Sequence, residues 1–178
     1  MKMLKKLLAV VLTGAMALTL LTACGSNAVT EKDIADAMND MAKAAEEDIT
    51  FTPRAKEREM AKAIAALSDE DLKELEESLK NSSLPEKAKE ILGINAGGAN
   101  ANNFVWVQNA LTDKLGAEGQ AFQVMESLTD KGGAYNFSSL GSKEPADTRY
   151  MGTALCKIPD QKDNLVTVRV IVVTAEAK

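Results

Sequence analysis

The sequence predicts an α+β fold in which several N-terminal helices pack on a small C-terminal antiparallel β-sheet. Apolar residues recur at helical spacing through the first two thirds of the chain, whereas the last forty residues contain runs rich in β-branched residues. The composition over 178 residues, 46% hydrophobic and 26% charged, is that of a globular chain. This length allows one domain or two small ones, and we place a single domain at residues 30–178.

The first predicted helix begins near Thr30. Its apolar positions lie on one helical face, and they are Ile34, Met38, Met41 and Ala45. Either Thr30 or Asp33 can cap its N-terminus. Met38 and Met41 could present two thioethers to Cu(I), but their place on the apolar face favours core packing.

Three further helices follow along the chain. Thr52-Pro53 starts the second, whose apolar side carries Met60, Ile64 and Leu67. Ser68 and Asp71 match a capping box that starts a third helix with Leu72, Leu75 and Leu79. A short helix then runs from Pro85 to a C-terminal stop at Gly93.

The stretch after the Gly/Asn-rich loop that includes Gly97-Gly98 is ambiguous between helix and strand. Phe104, Val107, Leu111 and Leu115 recur at helical spacing, which favours a helix, although Phe104–Val107 alone could be a strand. The spacing of Ala121, Val124, Met125 and Leu128 predicts another helix, closed by Gly132-Gly133.

The C-terminal third of the chain predicts strands. The β-rich segments are 135–140, 149–157 and 165–174, and the last is the most continuous in β-branched residues, so we expect it to be central and covered by helices. Residues 158–164 form a polar turn between the last two strands. Cys156 fits one small apolar residue on a buried strand face, although an unpaired Cys could also be a reactive thiol.

The N-terminus carries the pattern of a secretory signal peptide. Lys2, Lys5 and Lys6 form a positive segment, and the apolar run 7–21 follows it. This run of fifteen residues is shorter than the about 20 apolar residues that a membrane-spanning helix needs. We therefore expect residues 1–23 to be a signal peptide rather than a permanent span.

The run ends in Leu21-Thr22-Ala23-Cys24, which resembles the lipobox of bacterial lipoproteins. The resemblance implies that the Cys24 thiol receives a diacylglyceryl group, that cleavage occurs before Cys24, and that the new N-terminus is acylated, for instance with palmitate. Residues 24–29 would then be a lipidated tether, and the protein would face outward from the cell membrane of a bacterial envelope. The alternative is an ordinary cysteine after a conventional cleavage, which places the bulky Leu21 in a slot that prefers small residues.

The charge balance limits the partners. Removal of residues 1–23, which contain three Lys and no acid, leaves 18 basic against 26 acidic residues and a net charge of −8. Nucleic-acid binding and electrostatic attraction to anionic headgroups need clustered Lys and Arg. We therefore expect no nucleic-acid partner, and membrane contact through the anchor alone.

Composition also limits the chemistry. The chain has no His, so His-based triads, His metal sites and a His general base are excluded. Phosphate-binding, nucleophile-elbow and zinc motifs do not occur. The acidic clusters 46–48 and 69–71 match solvated or capping positions better than a cation site. We expect no cofactor, no metal and no catalytic residue.

Aromatic residues near the Gly/Asn-rich loop provide the candidate binding surface. Phe104, Trp106 and Tyr135 belong to the few aromatics of the chain, and aromatics beside Asn and Gly can form a recognition patch. The alternative is that they are large core residues.

The sequence thus favours a non-catalytic domain that binds a ligand or an envelope partner. The other hypotheses are a small carboxylate-dependent hydrolase of the cell envelope and a self-associating structural protein.

Overall fold

A computed structural model of the chain describes residues 29–68, 70–72, 85–94, 103–111, 115–129, 143–159 and 164–178. The helices within these ranges are α1 (Glu31–Ala44), α2 (Ala55–Ala65), α3 (Glu86–Leu92) and α4 (Ala117–Thr129). The strands are β1 (Thr50–Pro53), β2 (Asn103–Leu111), β3 (Pro145–Pro159) and β4 (Leu165–Ala177). Within the described residues, no helix is both long and apolar enough to cross a membrane.

The strands form one mixed sheet in the order β1-β3-β4-β2. The pairs β3–β4 and β2–β4 are antiparallel, as predicted, whereas β1 joins the edge of the sheet parallel to β3. The α+β class is confirmed. The predicted antiparallel sheet is mixed because of β1, a four-residue strand that ends in a Pro and was not recognised in the sequence.

Two apolar cores lie on opposite faces of the sheet, because alternate residues of each strand point to opposite sides. On face A, defined by Met151, Ile171 and Val173, the sheet packs against α1 and α4. On face B, defined by Val168, Val170 and Val172, it packs against α2 and α3. β4 is central and buried on both faces over most of its length, as its sequence predicts.

The start of α1 is fixed by a capping box. The Thr30 hydroxyl accepts a hydrogen bond from the Asp33 backbone N–H, and the Thr30 backbone N–H donates to the Asp33 carboxylate. Both predicted capping residues therefore act together. Met38 and Met41 are buried in the face A core, as the helical spacing favours.

The predicted start of the second helix at Thr52-Pro53 is wrong, because these residues belong to β1 and α2 begins at Ala55. The residue before a Pro is biased toward extended backbone, and Pro is tolerated on an edge strand. The Asn39 side-chain amide of α1 donates to the Phe51 carbonyl, and the Phe51 N–H donates to the Asn39 carbonyl oxygen. The Asn39 side chain thus satisfies the two backbone groups of Phe51 that a further strand would otherwise pair with, and it covers the outer edge of β1.

The helix favoured over Phe104–Leu115 is also corrected, because the structure has strand β2 there. Phe104 and Trp106 are buried on face A, and Val105 and Val107 on face B. A strand with both faces buried shows no alternation of apolar and polar residues, so its pattern can be mistaken for a helix. Pairing with β4 selects the strand.

Other predicted features are confirmed where the structure describes them. The Asp71 backbone N–H donates to the Ser68 hydroxyl, which in turn donates to the Asp71 carboxylate. Gly93 ends α3 with φ of 65°, a left-handed conformation that favours glycine. The helix predicted around Val124 is α4. The remaining predictions lie outside the described residues, and they concern Leu75, Leu79, Gly97-Gly98, Gly132-Gly133 and the strand 135–140.

Candidate functional site

The Arg149 cluster, which comprises Arg149, Phe51, Phe104 and Trp106, lies on face A at one end of the sheet. The register places Arg149 of β3 beside Phe51 of β1 and opposite Ala175 of β4, and Ala175 in turn lies opposite Phe104 of β2. Because Ala175 carries only a methyl group, the long Arg149 side chain has room to extend across β4 toward β2. Three strands distant in sequence therefore build this cluster.

Aromatic rings flank the Arg149 guanidinium. Its central carbon lies 5.3 Å from the Trp106 ring centroid and 5.9 Å from the Phe51 ring centroid. Phe104 and Trp106 stack on each other, with centroids 5.7 Å apart and an interplanar angle of 16°. Cations are attracted to the faces of such rings, so the aromatics hold the guanidinium in place.

The Arg149 guanidinium has no carboxylate bound to it within the described part of the chain. Its Nε atom is buried and has no hydrogen-bond partner there. Burial lowers the pKa of Arg149, and the negative charges of Glu47 and Asp147 offset this effect only in part. A guanidinium presents a planar set of donors that matches a carboxylate or phosphate, so an anion at this position would relieve the cost of burial.

The predicted binding surface differs from this arrangement. Phe104 and Trp106 are both buried in the face A core, so within the structure they support the Arg149 side chain and do not form an open aromatic patch. Tyr135 lies outside the described residues. Sequence analysis missed Arg149, although it stands two residues before the inward-facing Met151 and therefore shares its face.

A second charged cluster lies on face B, where Glu57 of α2 is fully buried. Arg54 Nε and Nη2 donate to its two carboxylate oxygens at 2.7 and 2.5 Å, and the Thr174 hydroxyl donates to Oε1 at 2.6 Å. Burial raises the pKa of Glu57, but the hydrogen bonds from Arg54 and Thr174 outweigh it, so the pKa is lowered. Glu57 is therefore held as an anion, and both of its oxygens are engaged.

A third buried charge, Arg169 of β4, connects the sheet to the start of the domain. Its guanidinium donates to the Gln120 side-chain oxygen at 2.9 Å, to the Thr153 hydroxyl at 3.2 Å and to the Val29 carbonyl at 2.7 Å. Gln120 in turn donates to the Leu115 carbonyl. A single Arg in the β-branched run 165–174 was a usable sequence signal for an inward-facing charge.

For the remaining candidate site residues that the structure describes, the surroundings favour a structural role. Cys156 is buried on face B, where burial raises the pKa of its thiol, so the thiolate that reactive cysteines need is disfavoured. Glu46, Glu47 and Asp48 line an open depression at the C-terminal end of α1. Among the described residues, no group of three or more His, Cys, Asp or Glu side chains is arranged to hold a metal ion. Cys24 lies outside the described residues.

Comparison with protein families, with curated proteins and with solved structures finds no match for this chain. Its function is therefore inferred from its own residues.

Proposed function

We propose that the protein is a lipid-anchored bacterial lipoprotein on the extracytoplasmic face of the cell membrane. The observation that carries the proposal is the order of a positive segment, an apolar run of fifteen residues and the sequence Leu21-Thr22-Ala23-Cys24. The position of the domain along the sequence supports the proposal, because Thr30, the N-cap of α1, lies six residues after Cys24. Cleavage before Cys24 would thus leave every described element intact.

Exchange of Cys24 for alanine tests this proposal. We expect the variant to lose incorporation of labelled fatty acid and to leave the membrane fraction, because position 24 no longer has a thiol to accept the diacylglyceryl group and a membrane anchor needs its acyl chains. Cys156→Ala is the matched control, since it removes the other thiol of the chain and should keep the label. Unchanged membrane retention of Cys24→Ala would contradict the proposal.

We further propose that the exported domain is a non-catalytic binding module that takes a carboxylate-bearing or other anionic group at Arg149. The support is electrostatic. The charged groups of Arg169 and Glu57 form hydrogen bonds within the domain. The Arg149 guanidinium lies between aromatic rings, and its Nε has no acceptor among the described residues. A ligand anion on the Nη atoms would form a charge-assisted contact in partly dry surroundings, where it is stronger than in water.

Thermal unfolding of the mature protein in detergent tests the anion site. The panel contains succinate, inorganic phosphate and short peptides with a free carboxylate, each compared with chloride at equal ionic strength. A ligand at 100 times its Kd should raise the free energy of unfolding by about 2.7 kcal/mol. Arg149→Met should abolish the shift, and the control Lys56→Met, which removes an exposed cation of α2, should keep it. A shift that persists in Arg149→Met would contradict this assignment.

A further inference from the structure

Two large apolar side chains are exposed at the tip of the β3–β4 hairpin. Leu155 is 55% and Leu165 is 63% exposed, and they are the exposed large hydrophobic residues of the described chain. Leu155 pairs with Arg169, Lys157 with Thr167, and Pro159 with Leu165. Directly paired residues of antiparallel strands share a face, so Leu155, Lys157 and Leu165 project from the same side of the hairpin. We call these three residues the hairpin patch.

The hairpin patch continues face A beyond the reach of its helices. Toward the other end of the sheet, face A is covered by α1 and α4. On the opposite side of the same hairpin, Cys156, Ile158 and Val168 are buried beneath the helices of face B. Among the described residues, the hairpin is therefore covered on one side only at this end, and Leu155 and Leu165 do not belong to either core.

The hairpin patch lies beside the point where the N-terminal chain enters the domain. Leu155 is directly opposite Arg169, whose guanidinium donates to the Val29 carbonyl at 2.7 Å. Val29 is five residues after Cys24, and five extended residues span at most about 18 Å. A lipid on Cys24 therefore keeps the entry point of the domain within this distance of the bilayer surface.

We infer that the hairpin patch contacts the bilayer that holds the Cys24 anchor; the inference rests on the proposed lipidation. Leu155 and Leu165 would enter the interface between headgroups and acyl chains, where apolar side chains of peripheral proteins are buried. Lys157 is exposed between them and has a side chain long enough to keep its ammonium group among the headgroups. The inference departs from the expectation that only the anchor touches the membrane, because a net charge of −8 does not prevent apolar contact at one patch.

The short tether favours the bilayer over a second protein as the occupant of the patch. A protein partner would have to enter the space between the domain and the membrane, whereas the lipid surface is already present there. Contact at a second point also fixes the orientation of the domain. The Arg149 cluster lies toward the other end of face A, so it would then face away from the bilayer.

Fluorescence quenching on vesicles tests the inference. The full lipidated protein carries Leu165→Cys labelled with an environment-sensitive dye and is reconstituted in phosphatidylcholine vesicles whose lipids carry a quencher at the upper acyl chain. The control label is at Glu59→Cys, because Glu59 is 70% exposed on α2 on the other side of the sheet. Cys156 is buried and should not react with the dye. We expect quenching at position 165 to exceed that at position 59 by about threefold or more.

Flotation of the same samples separates the two proposals. Protein that floats with the vesicles and shows quenching at position 165 supports both. Protein that floats with equal, weak quenching at both positions keeps the anchor and overturns the hairpin patch, including the case in which a second copy or another protein covers it. Protein that does not float overturns the anchor and the inference that rests on it. Leu155→Ser in the Leu165 label background should reduce quenching, which confirms that the two leucines act together.

Discussion

Exchange of Gly152 for alanine is expected to destabilise the domain severely. Gly152 lies on β3 beneath α2, and a Cβ atom there would lie 2.0 Å from the Arg58 backbone nitrogen and 2.1 Å from the Glu57 backbone carbonyl carbon. These are backbone atoms, so no side-chain rotation can relieve the clash. α2 would have to move away from the sheet, and that movement would open the face B core and the hydrogen bonds of Glu57.

Urea and thermal denaturation measure this effect. Overpacking of this kind costs about 3 kcal/mol or more, which for a chain of this size lowers the midpoint of unfolding by about 10 °C. The matched control is Gly119→Ala on α4, where the three atoms nearest to the new Cβ all belong to the Leu115 side chain, the closest at 3.0 Å. Alanine is also the better helix former by about 1 kcal/mol, so this variant should stay close to the parent protein. An unchanged midpoint for Gly152→Ala would contradict the close packing of α2 on β3.

Exchange of Arg54 for methionine is the second large expected effect, because it leaves the buried Glu57 carboxylate without its cation. Arg54 contacts both Glu57 oxygens and lies 3.6 Å above the Tyr150 ring, so its removal also exposes part of that ring. Loss of one partner of a buried ion pair costs 3–5 kcal/mol in general. The Arg54 side chain is 36% exposed and Thr174 still donates to Glu57, so we expect about 3 kcal/mol.

Lys62→Met provides the control for this loss of charge. Lys62 of α2 pairs with Glu59, at the same spacing of three residues as Arg54 and Glu57, but both Lys62 and Glu59 are exposed. Exposed pairs contribute less than about 1 kcal/mol, so this variant should unfold near the parent midpoint. Equal losses of unfolding free energy in Arg54→Met and Lys62→Met would show that the burial of Glu57 does not affect the stability of the domain.

The pH dependence of unfolding reports on the same carboxylate. The pKa of folded Glu57 is lowered from its ordinary value of 4.5. Its stabilising effect is therefore complete above this ordinary value and is lost as the pH falls through the folded pKa. In Arg54→Met, burial acts with fewer opposing hydrogen bonds, so the folded pKa rises and the acid-induced loss of stability should begin at higher pH. Coincident acid profiles for the two proteins would contradict this role of Arg54.

The sequence predicted the elements whose patterns are local. The repeats on α1 and α4, the Gly93 stop and the β-branched run of β4 each define an element without information from elsewhere in the chain. β1 was missed, and β2 was predicted only as the alternative to a helix, because the strand conformation of both depends on partners. Phe51 is held by Asn39 and β3, and Trp106 by β4.

The candidate site was harder to predict than the fold. Trp106 was selected as an aromatic residue, but its neighbours Phe51 and Arg149 come from two other strands, and only the register brings the three together. Alternation along β3 places Arg149 on the same face as Met151, but the sequence alone does not show which rings or charges surround it. Glu57 was missed for the same reason, because its partner Thr174 is 117 residues away.

The intact mass of the protein extracted from bacterial membranes tests the central claim most directly. We expect a chain that begins at Cys24 and carries the mass of a diacylglyceryl group and, where the N-terminus is acylated, of a further fatty acid. Treatment with a lipoprotein-specific lipase should remove the ester-linked acyl chains and leave the 155-residue polypeptide unchanged. A chain that keeps residues 1–23, or one that begins elsewhere and carries no lipid, would contradict the lipoprotein assignment and the membrane contact of the hairpin patch.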